Sequence, residues 1–115
     1  MSAPQQDIPN VTVASSTNRS GTITVRATDQ GMPVEIKFER SEYRYGAQAL
    51  AAEILRLTKR SAIVAKARRR ELLAESGMPE EILDKLGLPT RRTAVDELDR
   101  MDDEDTGPTS WMRQV

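Results

Sequence analysis

Hydrophobic and polar positions change their period along this chain, and the changes mark its elements. Between residues 22 and 38 they alternate. Ile23, Val25 and Ala27 are interleaved with Thr22, Thr24 and Arg26, and Val34, Ile36 and Phe38 with Glu35, Lys37 and Glu39. Strict alternation predicts strands with one buried and one wet face. Asp29-Gln30-Gly31-Met32 between them reads as a turn, with Gly31 supplying the positive φ that a short hairpin loop needs. Pro33 can start the return strand but cannot sit within its ladder. Ahead of this hairpin, Val11-Thr12-Val13 is a shorter alternating segment and a candidate first strand. Residues 15–20 read as polar loop, and Gly21 opens the second strand. Tyr43 and Tyr45 are expected to pack at the junction between the sheet and the next element.

From residue 47 to 76 the period becomes helical. Leu50, Ile54, Leu57, Ser61, Val64 and Arg68 recur at steps of three and four, with Ala47, Ala51 and Ala65 beside them. No Pro interrupts the stretch, and Ala, Leu, Arg, Lys and Glu dominate it. Gly77 offers a C-cap and Pro79 blocks simple continuation. About 30 residues at 1.5 Å give roughly 45 Å of helix, whereas a strand of about eight residues spans under ~30 Å. A helix covering the hairpin therefore overhangs it, and its far half is expected to need another partner. Leu57, Ser61 and Val64 are the candidate contact residues.

Past Gly77 the elements shorten. Residues 78–86 read as a short helix with Ile82, Leu83 and Leu86 as its apolar edge, closed by Gly87. Thr93 and Asp96 resemble a capping pair for one or two further turns ending at Met101. The ends are polar. Residues 1–10 predict a disordered arm, and residues 102–115 a disordered acidic tail in which Trp111 is an odd apolar member and a further candidate partner contact. The expected organisation is thus an arm (1–10), a sheet-and-helix core (11–77), a helical extension (78–101) and a tail (102–115). The fold class is α+β: a short antiparallel sheet of two or three strands, one long helix, then short helices.

Composition narrows the chemistry. The chain has neither Cys nor His. Disulfides and thiolate metal sites are excluded, and the commonest general base and metal ligand is missing. No nucleophile elbow, phosphate-binding loop or dinucleotide fingerprint occurs. An enzyme is not expected, nor a metal or other cofactor. No apolar run approaches the ~18 residues of a membrane helix, so a cytoplasmic protein without membrane contact is expected. Aromatic residues make up only 3% of the chain, so the core is thin and a shared core with a second copy is plausible on size grounds.

The net charge of −1 hides a strong asymmetry. Residues 56–70 hold seven Lys or Arg and no carboxylate, while residues 96–105 hold seven carboxylates and one Arg. Arg56, Lys59, Arg60, Lys66, Arg69 and Arg70 are candidate phosphate contacts for nucleic acid. The plainer reading of the same residues is a solvated surface, or neutralisation within the molecule by the acidic segment.

The Gly21-Thr-Ile-Thr-Val25 strand, Gly31, the Val34-Glu-Ile-Lys-Phe38 strand and the Ala47-Gln-Ala-Leu-Ala-Ala-Glu-Ile54 helix start resemble the YbaB/EbfC family. The resemblance covers residues 11–76. The sequence is also similar to YbaB-like accessory proteins of actinobacterial type VII secretion loci, which carry acidic or variable extensions. Typical family members have a long helix ahead of the sheet that residues 1–10 do not match. The resemblance implies a homodimer with sheets joined edge to edge, and a non-enzymatic nucleoid-associated protein that binds DNA. The alternative is a protein–protein interaction module, a secretion-associated chaperone or adaptor without DNA binding. DNA binding would place the protein on the nucleoid.

Overall fold

The computed structural model describes residues 10–105, with side chains through residue 103. Three strands form an antiparallel meander in the order β1 (Val13–Thr17), β2 (Ile23–Thr28), β3 (Pro33–Phe38). A 3-10 turn (Arg40–Tyr45) leads into the long helix α1 (Ala47–Glu75), followed by α2 (Glu80–Lys85) and α3 (Arg91–Asp105). The α+β reading holds, with the sheet first, then the long helix, then the shorter ones.

β1 starts at Val13, the last residue of the expected first strand, and leaves Val11 and Thr12 outside it. It runs on through residues 15–17, where the composition predicts polar loop. Ser15, Ser16 and Thr17 pair with Arg26, Val25 and Thr24. Their composition hides the strand because the partner, not the side chains, supplies most of the bonding. A hydroxyl–hydroxyl bond of 2.9 Å joins Thr17 to Thr24. Both connecting turns are held by one side chain each. The Asn18 amide oxygen accepts the N–H groups of Thr22 and Ile23 at 2.8 and 2.9 Å. The Thr28 hydroxyl accepts those of Gln30 and Met32 at 3.2 and 3.1 Å. Gly31, at φ 89°, makes the second turn in a conformation that a Cβ disfavours. The register then shifts at Arg26/Ala27, so Ala27 faces Pro33 and Val34 has no opposite number. The bulge sits beside the one residue that cannot donate to the ladder.

α1 crosses β1 and β2. Ile23, Val25, Leu50 and Leu57 form the core between them, with Phe38 and Ile54 at its margin. Small residues let the helix approach closely: Ala14, Ala27 and Ala65 are buried, and Ser61 is fully buried with its hydroxyl donating to the Val25 carbonyl at 3.0 Å. Such a core buries little area per residue, so each large side chain in it weighs more.

The overhang of α1 is real, but this chain covers much of it. Leu73, Leu83 and Leu88 form a second cluster with Met78 against them. α3 packs along α1, bringing Ala94, Val95 and Leu98 beside Val64 and Ala67. Gly77, at φ 104°, turns the chain back, and the Met78 N–H returns to the Leu73 carbonyl at 3.1 Å. Of the apolar edge expected on α2, only Leu83 is buried; Ile82 and Leu86 are exposed, because six residues present a single inward position. The cap of α3 lies one turn earlier than expected. Thr90, not Thr93, accepts a helix N–H (that of Thr93, at 3.1 Å). The helix also passes Met101 and takes in residues 102–105, which the charge pattern assigns to solvated tail. Residues 1–9 of the expected arm, and residues 106–115 with Trp111, lie outside the described residues.

Candidate interaction surfaces on the sheet edge and the helix flanks

The strand with the clearest alternation is the least covered. Register places Ile36 opposite Val25 and Phe38 opposite Ile23, so β3 turns its apolar residues toward the helix side, as its pattern predicts. α1, however, lies over β1 and β2. Val34 and Ile36 stay 51% and 42% exposed, and Met32 in the adjoining turn 64%. Alternation states which face is apolar; it does not state whether anything covers that face. Leu55 on α1 is also exposed. Helical spacing sets it on the same flank as Arg69, which reaches Asp29 in the β2–β3 turn at 3.8 Å. Tyr43 and Tyr45, expected to pack at the junction, are mostly exposed. Tyr43 meets Phe38 edge-on at 5.4 Å, and Arg44 lies 4.9 Å from the Tyr45 ring centre.

The two sheet edges are finished differently. On β1, the Arg68 guanidinium donates to the Val13 carbonyl at 2.8 Å, capping that edge. β3 pairs only with β2 among the described residues. Its wet face carries Glu35 between Arg26 at 3.6 Å and Lys37 at 3.5 Å.

The basic residues of α1 divide among several neighbours. Glu53 takes Arg56 in a two-point bond, Nε to Oε1 at 3.1 Å and Nη2 to Oε2 at 2.6 Å. Asp102 of α3 lies 3.5 Å from Arg56 and 2.5 Å from Arg60. Arg69 donates to the Thr12 hydroxyl at 3.3 Å besides meeting Asp29. Arg70 is buried and donates to the Leu88 carbonyl and to Asp84, the latter at 2.9 Å. Lys59 is exposed and Lys66 half-buried. The six candidate phosphate contacts thus do not form one open stripe. Four of them hold other parts of the chain, and intramolecular neutralisation accounts for much of the charge. Spacing along a helix identifies neighbours on that helix only, so carboxylates arriving from α3 or the β2–β3 turn are invisible to it.

The candidate partner residues on α1 lie further inward than their spacing suggests. Leu57 and Ser61 are fully buried in the chain's own core, and Val64 is half-buried against α3. Exposed apolar residues lie elsewhere, among them Val34 and Ile36 on β3, Leu55 on α1, and Ile82 and Leu86 around α2. The alternating pattern contains Val34 and Ile36, and only the path of α1 separates them from core. Among the described residues no group of acidic, His or Cys side chains is arranged to hold a metal ion, and no helix is long and apolar enough to cross a membrane. The sequence matches no family model, and no curated protein or solved structure matches it significantly.

Proposed function

We propose that this protein is a non-enzymatic, homodimeric interaction module that pairs through β3. One observation carries the reading: Val34 and Ile36 lie on the core-side face of an edge strand yet stay half exposed. An edge strand with an uncovered apolar face and unpaired backbone groups is a template for another strand. A second copy is the natural occupant, because β3 is self-complementary. Antiparallel pairing about Ile36 sets Ile36 against the partner's Ile36, Val34 against the partner's Phe38, and Glu35 against the partner's Lys37. Such opposite-charge and apolar cross-strand pairs each stabilise a sheet by roughly 0.2–1 kcal/mol. The two-fold symmetry closes the assembly and leaves no further edge of the same kind. The remaining surface would then serve a protein partner in a cytoplasmic setting, as an adaptor or chaperone does.

DNA binding is the second reading. It draws on exposed Lys59 and on arginines that now hold carboxylates, so it has less open positive surface than the charge count of α1 suggests. Sedimentation equilibrium at micromolar concentration tests the dimer. The full chain should run at twice 12.8 kDa, and Ile36→Asp should run as a folded monomer with unchanged far-UV circular dichroism. Ile36 is too exposed for its replacement to unfold the sheet, contrary to what its place in the alternation suggests. A wild-type protein that stays monomeric overturns the proposal.

A further inference from the structure

We infer that Arg56 and Arg60 form a phosphate-class anion site that the chain's own α3 keeps occupied with Asp102. The site is an open cleft of about 510 Å³ between the β1–β2 loop and the first half of α1, and Asp102 reaches into it from the last turn of α3. Arg19 adds a guanidinium on the loop side, where the Thr17 and Ser20 hydroxyls are already bonded to Thr24 and to Asn18 and Thr22, and Glu53 also lines the cleft from α1. Two arginines converging on one carboxylate oxygen, at 2.5 and 3.5 Å, present the donor arrangement that a phosphate oxygen takes. Glu53 fixes the Arg56 guanidinium by its two-point bond, so that donor is already oriented.

The occupant is poorly suited to its own helix. The last four residues of α3 are all acidic, and its last turn holds no basic residue. Negative charge at a helix C-terminus opposes the helix dipole, and neighbouring carboxylates repel one another. The contact with Arg56 and Arg60, together with the Arg60 bond to the Leu98 carbonyl at 3.4 Å, contributes to offsetting this. Asp102 is about two-fifths exposed, and half-exposed ion pairs are weak. A ligand carrying two or more negative charges and more acceptor oxygens competes with it directly. When it enters, the last turn of α3 loses its holding charges and unwinds. The helix end is thus a latch that opens on anion binding. This site is independent of β3, since Arg56 and Arg60 occupy the α1 flank that faces the β1–β2 loop.

Phosphate of this kind comes from a free nucleotide or from a nucleic-acid backbone, and one experiment separates the two. The full-length protein is titrated at low salt with diphosphate, with ATP and with a short DNA duplex. Amide NMR shifts of residues 17–20, 56–60 and 98–103 are followed, alongside amide exchange in α3. Wild type, Asp102→Asn, Arg56→Gln, Arg60→Gln and the surface control Lys59→Gln are compared. Diphosphate should shift those amides and speed exchange at the end of α3. Asp102→Asn should bind about fivefold tighter, the equivalent of one weak ion pair removed. Either arginine variant should lose the shifts, and Lys59→Gln should keep them. ATP behaving like diphosphate while the duplex shifts nothing assigns the site to free phosphates; the duplex shifting the same amides assigns it to the nucleic-acid backbone. The inference is overturned if Asp102→Asn binds no tighter than wild type, if the arginine variants still shift, or if anions bind while α3 exchange is unchanged.

Discussion

Replacing Arg70 with Gln should destabilise the protein rather than weaken a ligand contact. The Arg70 side chain is only 10% exposed, and its guanidinium spans two bonds. The Asp84 partner is 68% exposed, so that half of the interaction contributes well under ~1 kcal/mol. The Leu88 carbonyl is the larger part. It lies at the junction of α2 and α3 in a buried setting, and a charge-assisted bond of this kind contributes roughly 1.5–3 kcal/mol. Gln is too short to reach it from the same position on α1, which leaves a buried acceptor unsatisfied. The expected loss is about 2–3 kcal/mol, or roughly 10–15 °C in Tm for a domain of this size. Thermal and urea unfolding followed by circular dichroism measure it. Asp84→Asn is the control and should lose under ~1 kcal/mol. If Arg70→Gln melts with wild type, or Asp84→Asn falls as far as Arg70→Gln, the carbonyl bond is not what Arg70 provides, and its return to the surface as a charge contact becomes the better account.

Two other substitutions test the packing. Leu57→Ala removes a fully buried side chain from a core of few large residues and should cost about 2–5 kcal/mol in urea unfolding; a loss below ~1 kcal/mol would mean the surrounding residues collapse into the space. Thr90→Ala removes the side-chain cap of α3 and should cost about 1 kcal/mol, seen as faster amide exchange in the first turn of that helix with the β-sheet amides unchanged.

Much of this fold is legible in the sequence because the local pattern and the tertiary requirement agree. Helical spacing predicts α1 over 47–76, and the helix runs over Ala47–Glu75. The steps of three and four that define its stripe also set Leu50, Leu57 and Ser61 against the sheet. Gly77 ends it for the reason expected, a backbone position at positive φ. The hairpin is legible likewise, through alternation on both strands and Gly31 between them. Legibility fails where the deciding interaction comes from far along the chain. Ser15–Thr17 look like loop until β2 supplies their ladder. Ile36 looks like core until the path of α1 leaves it at an edge. Asp102 looks like tail until Arg60, 42 residues earlier, gives it a partner. Charges are the hardest to place this way, since an arginine has the same local spacing whether it faces solvent, a carboxylate or a buried carbonyl.

These arginines explain how so small a core supports so long a helix. α1 rests on two apolar clusters, Ile23, Val25, Leu50 and Leu57 near its start and Leu73, Leu83 and Leu88 near its end. Between them its sheet-facing stripe is made of Ser61 and Ala65, which permit close approach but bury little area. Apolar packing alone leaves the middle and far half weakly tied. The arginines supply what is missing at four points: Arg60 to α3, Arg68 to β1, Arg69 to the β2–β3 turn, and Arg70 to the α2–α3 junction. A long guanidinium side chain suits this use, because it lays apolar stem along the helix and delivers several donors at its tip. The same basic run therefore serves the fold where its partners are buried, as at Arg70. It is open to exchange where its partner is a half-exposed carboxylate at the end of a helix, as at Arg56 and Arg60. Burial of the partner, more than the charge of the arginine, separates the structural contacts on α1 from those a ligand can replace.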